Sequence, residues 1–256
     1  MIYSFINQKG GVGKTTSCVN TSAFLASKGY KVLIIDLDSQ ANASNALGIH
    51  VNHNTVYELL IGKADVLRDN VIRDTDIASL KIIPSCTSLA GAEIELCSVE
   101  KGRELILKQA LEAIKDDFDY IMIDCPPSLG LLTVNALSAS DALMIPLQCE
   151  YLSMLGLSQL MYTLRQVQKY LNPNIRIEGI ILTMYDKRSN LTLSVRREIE
   201  EYFKDKVFKT TIPRNVRLAE APSFGLPIVK YDMKSSGAKA YNALVEEFIA
   251  RSKSAS

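Results

Sequence analysis

The sequence predicts an α/β fold: one domain with a mostly parallel, twisted sheet carrying helices on both faces. Short apolar runs at residues 2–6, 31–36, 120–124, 142–146 and 175–182 are continuous where a half-exposed strand would alternate, as in strands covered on both sides. Stretches with three- and four-residue apolar spacing fall between them, the alternation that builds βαβ units. At 256 residues and 47% hydrophobic, the chain is long enough for one well-buried core and too short to argue for two.

The first run leads into Lys9-Gly-Gly-Val-Gly-Lys-Thr-Thr16, and a helix-compatible segment follows to about residue 28, where Gly29 is a natural C-cap. Strand, glycine-rich turn and helix in that order is the context of a phosphate loop, so the fold is a P-loop fold. Gly10, Gly11 and Gly13, with Val12 between them, let backbone N–H groups converge on phosphate oxygens, and the new helix offers its positive end to the same anion. Lys14 adds a point charge for the β and γ phosphates; the Thr15 hydroxyl is placed to ligate Mg²⁺, and Thr16 completes the loop. Gln8, however, stands where the standard pattern has its first glycine, and Lys9 is a second lysine. Two ammonium groups on the same phosphates would repel, which leaves Lys9 freer to reach outward.

Residues 31–36 form the next strand, ending in Asp36-Leu-Asp38-Ser-Gln40. Both carboxylates fall near the C-terminal edge, where α/β sheets hold ligands. An aspartate near a γ-phosphate is suited to orient the attacking water, whereas one that ends a strand can simply cap the following turn; periodicity does not separate these uses. Residues 41–79 offer a short helix at 56–61, charged surface at 65–76 and no evident chemistry. A strand at 80–83 closed by Pro84 comes next, then helical spacing over 90–115 with an interruption near Gly102. Tyr120-Ile-Met-Ile-Asp124 is a second buried strand ending in an aspartate, the Walker B arrangement whose carboxylate holds Mg²⁺ directly or through its water. Pro126-Pro127 stiffens a loop able to respond to a γ-phosphate. Residues 131–139 are helical, 142–146 a strand, and 154–170 a long helix whose Met154, Leu157, Leu160, Met161 and Leu164 suit core or a dimer-facing surface. Residues 175–182 make a further strand.

Two loops, each expected to follow a strand, then present arginine: Lys187-Arg188-Ser-Asn190 and Ile212-Pro-Arg-Asn-Val-Arg-Leu218. Arginine forks onto phosphate oxygens and suits a nucleic-acid backbone; its competing use is a local salt bridge. Charge favours the first. Residues 187–256 carry 14 Lys+Arg against 8 Asp+Glu, net +6, while the first 186 carry 15 against 20, net −5, on a chain of formal charge +1. A basic C-terminal third reads as a face prepared for a polyanion. The last helix, 237–251, has Ala240, Leu244, Val245 and Phe248 on one side and reads as packed on the domain, since a membrane-binding tail needs a wider apolar face with flanking Lys/Arg.

No apolar run approaches the roughly 20 residues of a membrane span. Residues 1–9 are strand and loop, which leaves no place for a signal peptide or an N-terminal DNA-binding extension. Cys18, Cys86, Cys97, Cys125 and Cys149 form no CxxC pair and are odd in number, as expected of a reducing cytoplasm.

The loop with Gln8 and Lys9 resembles the deviant Walker A motif of the family that holds the ParA/Soj partition ATPases, MinD, the nitrogenase iron protein and the tail-anchored-protein targeting ATPases. Asp124-Cys-Pro-Pro-Ser-Leu-Gly-Leu-Leu-Thr133, Pro146-Leu-Gln-Cys-Glu150, Leu182-Thr-Met184 and Pro213-Arg-Asn-Val-Arg-Leu-Ala-Glu-Ala-Pro-Ser-Phe-Gly225 resemble the chromosomal ParA/Soj branch, and the similarity spans almost the whole chain. The resemblance implies that Lys9 crosses a dimer interface to the partner's nucleotide. It implies that Asp38, the second aspartate of the D-x-D-P-Q switch motif, is tied to hydrolysis and joins Thr15 and Asp124 at Mg²⁺; Ser39 stands where the family usually has proline. It makes Arg188 and Arg217 DNA-backbone contacts and puts Met184, Pro213 and Asn215 near the adenine. The activity implied is slow ATP hydrolysis with Mg²⁺. The ATP-bound homodimer would bind nonspecific double-stranded DNA on the nucleoid, in the cytoplasm, and release it when a ParB-like centromere-binding partner stimulates hydrolysis. A MinD-like membrane cycle would need the amphipathic tail, and a nitrogenase-like cluster would need paired cysteines in Ser128 to Thr133, which has none.

Overall fold

A computed structural model describes residues 1–151 and 153–254, with side chains through Ser252. The strands are β1 (Ile2–Phe5), β2 (Val32–Asp36), β3 (Arg73–Asp74), β4 (Leu80–Ile83), β5 (Tyr120–Asp124), β6 (Ala142–Gln148) and β7 (Arg176–Thr183). They form one sheet in the order β3-β4-β2-β5-β1-β6-β7, parallel throughout except for β3 against β4. Side chains alternate between two cores. Val32 and Ile34 join Tyr3, Phe5, Met122 and Met144 on one face, while Leu33 and Ile35 join Ile121, Ile123, Leu143 and Ile145 on the other. Burial on both faces is why the strands read as unbroken apolar runs.

The first face is covered by α1 (Lys14–Ser27), α2 (Asn42–Asn45), α9 (Val216–Glu220), α10 (Ile228–Tyr231) and α11 (Ser236–Ser254). The second is covered by α3 (Val56–Leu60), α4 (Leu89–Cys97), α5 (Ile106–Glu112), α6 (Leu131–Ala139), α7 (Ser153–Tyr170) and α8 (Asn190–Phe203). Helix α1 is buried over most of its surface because α11 packs outside it, and small residues such as Ser17, Cys18, Ser22 and Ala23 permit that close sandwich. Ser17 Oγ meets the Tyr241 hydroxyl at 3.0 Å, and the Asn20 side-chain oxygen accepts the Ile228 N–H at 2.8 Å, tying α1 to α11 and α10.

The structure departs from the sequence reading in three places. Residues 41–79 contain α2 and the edge strand β3 besides the short helix, so the region is more ordered than its composition suggests. Residues 190–203 form α8, capped by Ser189 Oγ accepting the Thr192 N–H at 3.3 Å and burying Thr192, Val195 and Ile199. The second arginine segment does not follow a strand. Isolated bridges, Ile180 with Val207 ahead of it and Tyr185 with Pro213 within it, stand in place of a strand, and Arg217 lies in α9, not in a loop. Asn215 starts that helix by accepting the Leu218 N–H at 3.1 Å, an N-cap that overrides the expected loop. In α7, Leu157, Leu160, Leu164 and Val167 are buried, which assigns that stripe to the core. No helix of the described residues is long and apolar enough to cross a membrane.

Candidate active site

Between β1 and α1 the chain makes a turn held from several sides. Asn7 Nδ2 donates to the Pro146 carbonyl at 2.8 Å, and Asn7 Oδ1 accepts the Lys9 N–H at 3.0 Å. Gly11 and Gly13 have φ of 74° and 84°, a left-handed conformation that glycine enters without a Cβ penalty. Gly13 is the N-cap of α1, and no side chain takes the helix's first N–H groups, which leaves them to an anion. The Val12 side chain is buried, and its carbonyl accepts the Thr183 hydroxyl at 2.7 Å, so the end of β7 braces the loop. Lys14 is 7% exposed. Burial lowers its pKa, and the carboxylates of Asp124 and Asp38 pull it back.

The turn forms one wall of a cavity of about 480 Å³. Gly10, Gly11, Gly13, Lys14, Thr15 and Thr16 line that wall; Asp38, Gln40, Asn42 and Ala46 line a second; Met184, Leu218, Ala221, Pro222, Leu226 and Pro227 supply an apolar third. A cationic, amide-rich end joined to an apolar end suits a ligand with phosphates and a flat base. Gly225 on the apolar rim meets Gly48 beyond α2 backbone to backbone, where a Cβ on Gly225 would lie 2.8 Å from the Gly48 Cα. This contact links the arm bearing Asp38 to the apolar rim.

The three aspartates have different surroundings. Asp36 is fully buried, and its carboxylate accepts from Ser44 N–H and Ser44 Oγ, both at 2.8 Å, and from Asp38 N–H at 3.2 Å. Burial pushes its pKa up to about 6 against those hydrogen bonds. It tethers the segment that carries Asp38. Asp38 is half-buried and lines the cavity, with Oδ1 accepting the Gln40 N–H at 3.0 Å and its carbonyl accepting the Ala41 N–H at 2.8 Å. These bonds hold the turn although Ser39 is not proline. Asp124, in register with Asp36 across β5 and β2, is fully buried, with the Thr15 side chain beside it but no well-formed hydrogen bond to either carboxylate oxygen. Burial and then the Asp36 charge raise its pKa well above the usual carboxylate range, while nearby Thr15 and Lys14 draw it down. An orphaned buried carboxylate beside a phosphate cradle fits a divalent cation that shares its coordination with phosphates and water.

An AAA domain family matches residues 1–177. Sporulation initiation inhibitor protein Soj of Bacillus subtilis is 54% identical over 97% of this chain and 98% of its own. The chromosome-partitioning ATPase Soj of Treponema pallidum is 50% identical over 96% of each. The chain belongs to the Soj/ParA family of chromosome-partitioning ATPases. Among solved structures, a putative plasmid partition protein of Borrelia burgdorferi bound to AMPPNP covers 98% of each chain at 27% identity and a TM-score of 0.83. Cobyrinic acid a,c-diamide synthase of Mycobacterium smegmatis, with an ATP analogue and magnesium, covers 100% of this chain and 96% of its own at 34% identity and a TM-score of 0.85.

In this partition ATPase, Lys9 does not line the cavity that Lys14 does; its ammonium pairs with Glu150 Oε2 and is about one-third exposed. Met184 lines the apolar wall, whereas Pro213 and Asn215 lie outside the lining, Asn215 donating from Nδ2 to Ser236 Oγ at 2.7 Å. Arg188 is exposed and held by Asp186, Nε to Oδ1 at 3.1 Å and Nη2 to Oδ2 at 3.3 Å. Arg217 reaches Glu220 at 2.9 Å and Asp232 at 3.6 Å. The Tyr185 N–H donates to the Ile212 carbonyl at 2.9 Å, which brings the two arginine segments together: Lys187, Arg188, Pro213 and Arg214 share an open cleft with Met184. Nothing in the sequence pattern marks Asn42 or Ala46 as site residues; Thr183, Leu218, Ala221 and Pro222 fall inside quoted family motifs, which assign them no role.

Proposed function

We propose that this partition ATPase is an ATP-operated dimer that binds nonspecific double-stranded DNA and releases it on hydrolysis. The observation that carries the reading is the division of labour between the two lysines of the phosphate loop. Lys14 is buried in the cavity wall, while Lys9 stands outside it, about one-third exposed and held by a single surface carboxylate that it can leave for a second subunit. ATP fits with its phosphates on the loop amides and Lys14, and its base against Met184 and the apolar rim. Mg²⁺, when bound by Thr15 and Asp124, neutralises charge on the β and γ oxygens. Asp38, held half-buried at the wall by Gln40 and Ala41, orients the attacking water.

Two subunits close face to face, each Lys9 leaving Glu150 for the partner's nucleotide, and the paired basic faces with Arg188 and Arg217 then meet DNA together. Doubling the cationic surface multiplies the counterions released, which favours DNA only in the dimer. Among the described residues no arginine lines the cavity, so intrinsic turnover is slow and a ParB-like partner with DNA stimulates it. The protein cycles between nucleoid and cytoplasm. The test is sedimentation of wild type and Lys9→Ala with ATP and Mg²⁺: wild type dimerises and Lys9→Ala stays monomeric while still binding ATP. A Lys9→Ala dimer of wild-type affinity would refute the crossing lysine.

A further inference from the structure

One strand end lies between the phosphate loop and the arginine cleft. Thr183, the last residue of β7, is 2% exposed and donates its hydroxyl to the Val12 carbonyl, and its methyl carbon would sit 3.7 Å from a Cβ on Gly13. The next residue, Met184, has φ of 48°, a left-handed conformation that a side chain of its size rarely takes, and it lines both the nucleotide cavity and the arginine cleft. Tyr185 is then pinned by the Ile212 carbonyl, and Asp186 grips Arg188 through its backbone N–H at 3.0 Å as well as its guanidinium. Six residues, Thr183 to Arg188, therefore run from a hydrogen bond on the phosphate loop to the arginine assigned to DNA. The unfavourable Met184 conformation comes directly after Thr183, where a small change upstream can be relieved by re-aiming the chain downstream.

We propose that Thr183 is a positioning residue that couples the phosphate loop to the arginine cleft: phosphates settling on the Val12–Gly13 backbone shift the carbonyl that Thr183 holds, and the Met184 turn passes the shift to Arg188. The proposal rests on the reading of Arg188 as a DNA contact controlled by ATP. Coupling of this kind is worth roughly 5- to 150-fold in affinity. By contrast, a single neutral hydrogen bond accounts for about fivefold in nucleotide affinity.

The experiment measures retention of a plasmid fragment by full-length protein in ATP and in ADP, together with binding of a fluorescent ATP analogue, for wild type, Thr183→Val, Thr183→Ser and Arg188→Glu. Thr183→Val, which keeps the shape and loses the hydroxyl, should bind the analogue within about fivefold of wild type. Its ATP-over-ADP ratio of DNA retention should fall toward one, and Thr183→Ser should restore it. A Thr183→Val protein with the wild-type ratio overturns the proposal. So does loss of analogue binding in that variant, or a Thr183→Ser protein as defective as the valine. If wild type shows no ATP dependence, or Arg188→Glu retains DNA normally, the underlying reading falls and takes the proposal with it, a result separable from failure of Thr183 alone.

Discussion

The phosphate loop and the arginine cleft share Met184 as a wall, yet they are built in opposite ways. The loop is over-determined: Asn7, Thr183 and two left-handed glycines fix it from β6, β7 and its own backbone, and Lys14 is buried beside it. The cleft is held by local ion pairs at the surface, with the Arg188 side chain 85% exposed and its carboxylate partner two residues away. Such exposed pairs contribute little and are screened by salt. In the proposed switch this contrast would let the phosphate loop keep its overall geometry while the arginines proposed to meet DNA are re-aimed at small cost.

The largest effect that sharpens the contrast is expected at Asp124, on the rigid side. Its carboxylate is buried without a well-formed hydrogen bond, and its pKa and that of Asp36 are both raised by burial. A carboxyl whose folded pKa lies above its unfolded value contributes stability that is fully present below about pH 4 and is lost as pH rises through the folded value, near 6 for Asp36. Metal-free protein should therefore lose stability between about pH 4 and 6, and Asp124→Asn should flatten that slope. At pH 7.5 the same variant should melt higher by roughly 2–6 °C, because the amide removes about 1–2 kcal/mol of the cost of burying an ionisable carboxyl. It should also gain no stabilisation from ATP with Mg²⁺. Thermal melts in EDTA and in Mg-ATP check all three, and a lower melting point for the variant would mean that the contacts of Asp124 with Thr15 and Lys14 outweigh the cost of burying it.

On the mobile side the effects are smaller and graded. Arg188→Glu should remove most ATP-dependent DNA binding while leaving ATP affinity unchanged. Arg217→Ala should weaken binding less and lower the salt slope by about one per subunit, because Arg217 is already engaged by both Glu220 and Asp232. Filter binding across a salt series separates the two. Equal losses would erase the gradation, and loss of ATP binding would place the cleft within the rigid site.

How far each region could be read from the sequence follows the same division. Phosphate loop, Walker B strand and their Asp36 and Asp124 ends were legible because local chemistry dictates them: glycine where φ is positive, unbroken apolar runs where a strand is buried twice. Which of Asp36 and Asp38 faces the cavity was not legible from periodicity, since the answer depends on Ser44 returning from α2 to grip Asp36. Ala46, Leu218 and Pro222 reach the cavity, and Thr183 the phosphate loop, only through tertiary placement, and local spacing does not distinguish them from ordinary core. For Arg217 the Asn215 cap was present in the sequence, yet the helix it starts is only Val216–Glu220, too short to show a period.

The central claim is that ATP occupancy of the rigid site controls the charge presented by the mobile one. Its most direct test is retention of nonspecific duplex DNA by wild-type protein with ATP, with ADP and without nucleotide, measured across a salt series. Tight, steeply salt-dependent retention in ATP alone is the predicted result, with log affinity falling by about 0.9 per phosphate neutralised for each unit of log salt. Equal retention in all three conditions would contradict it.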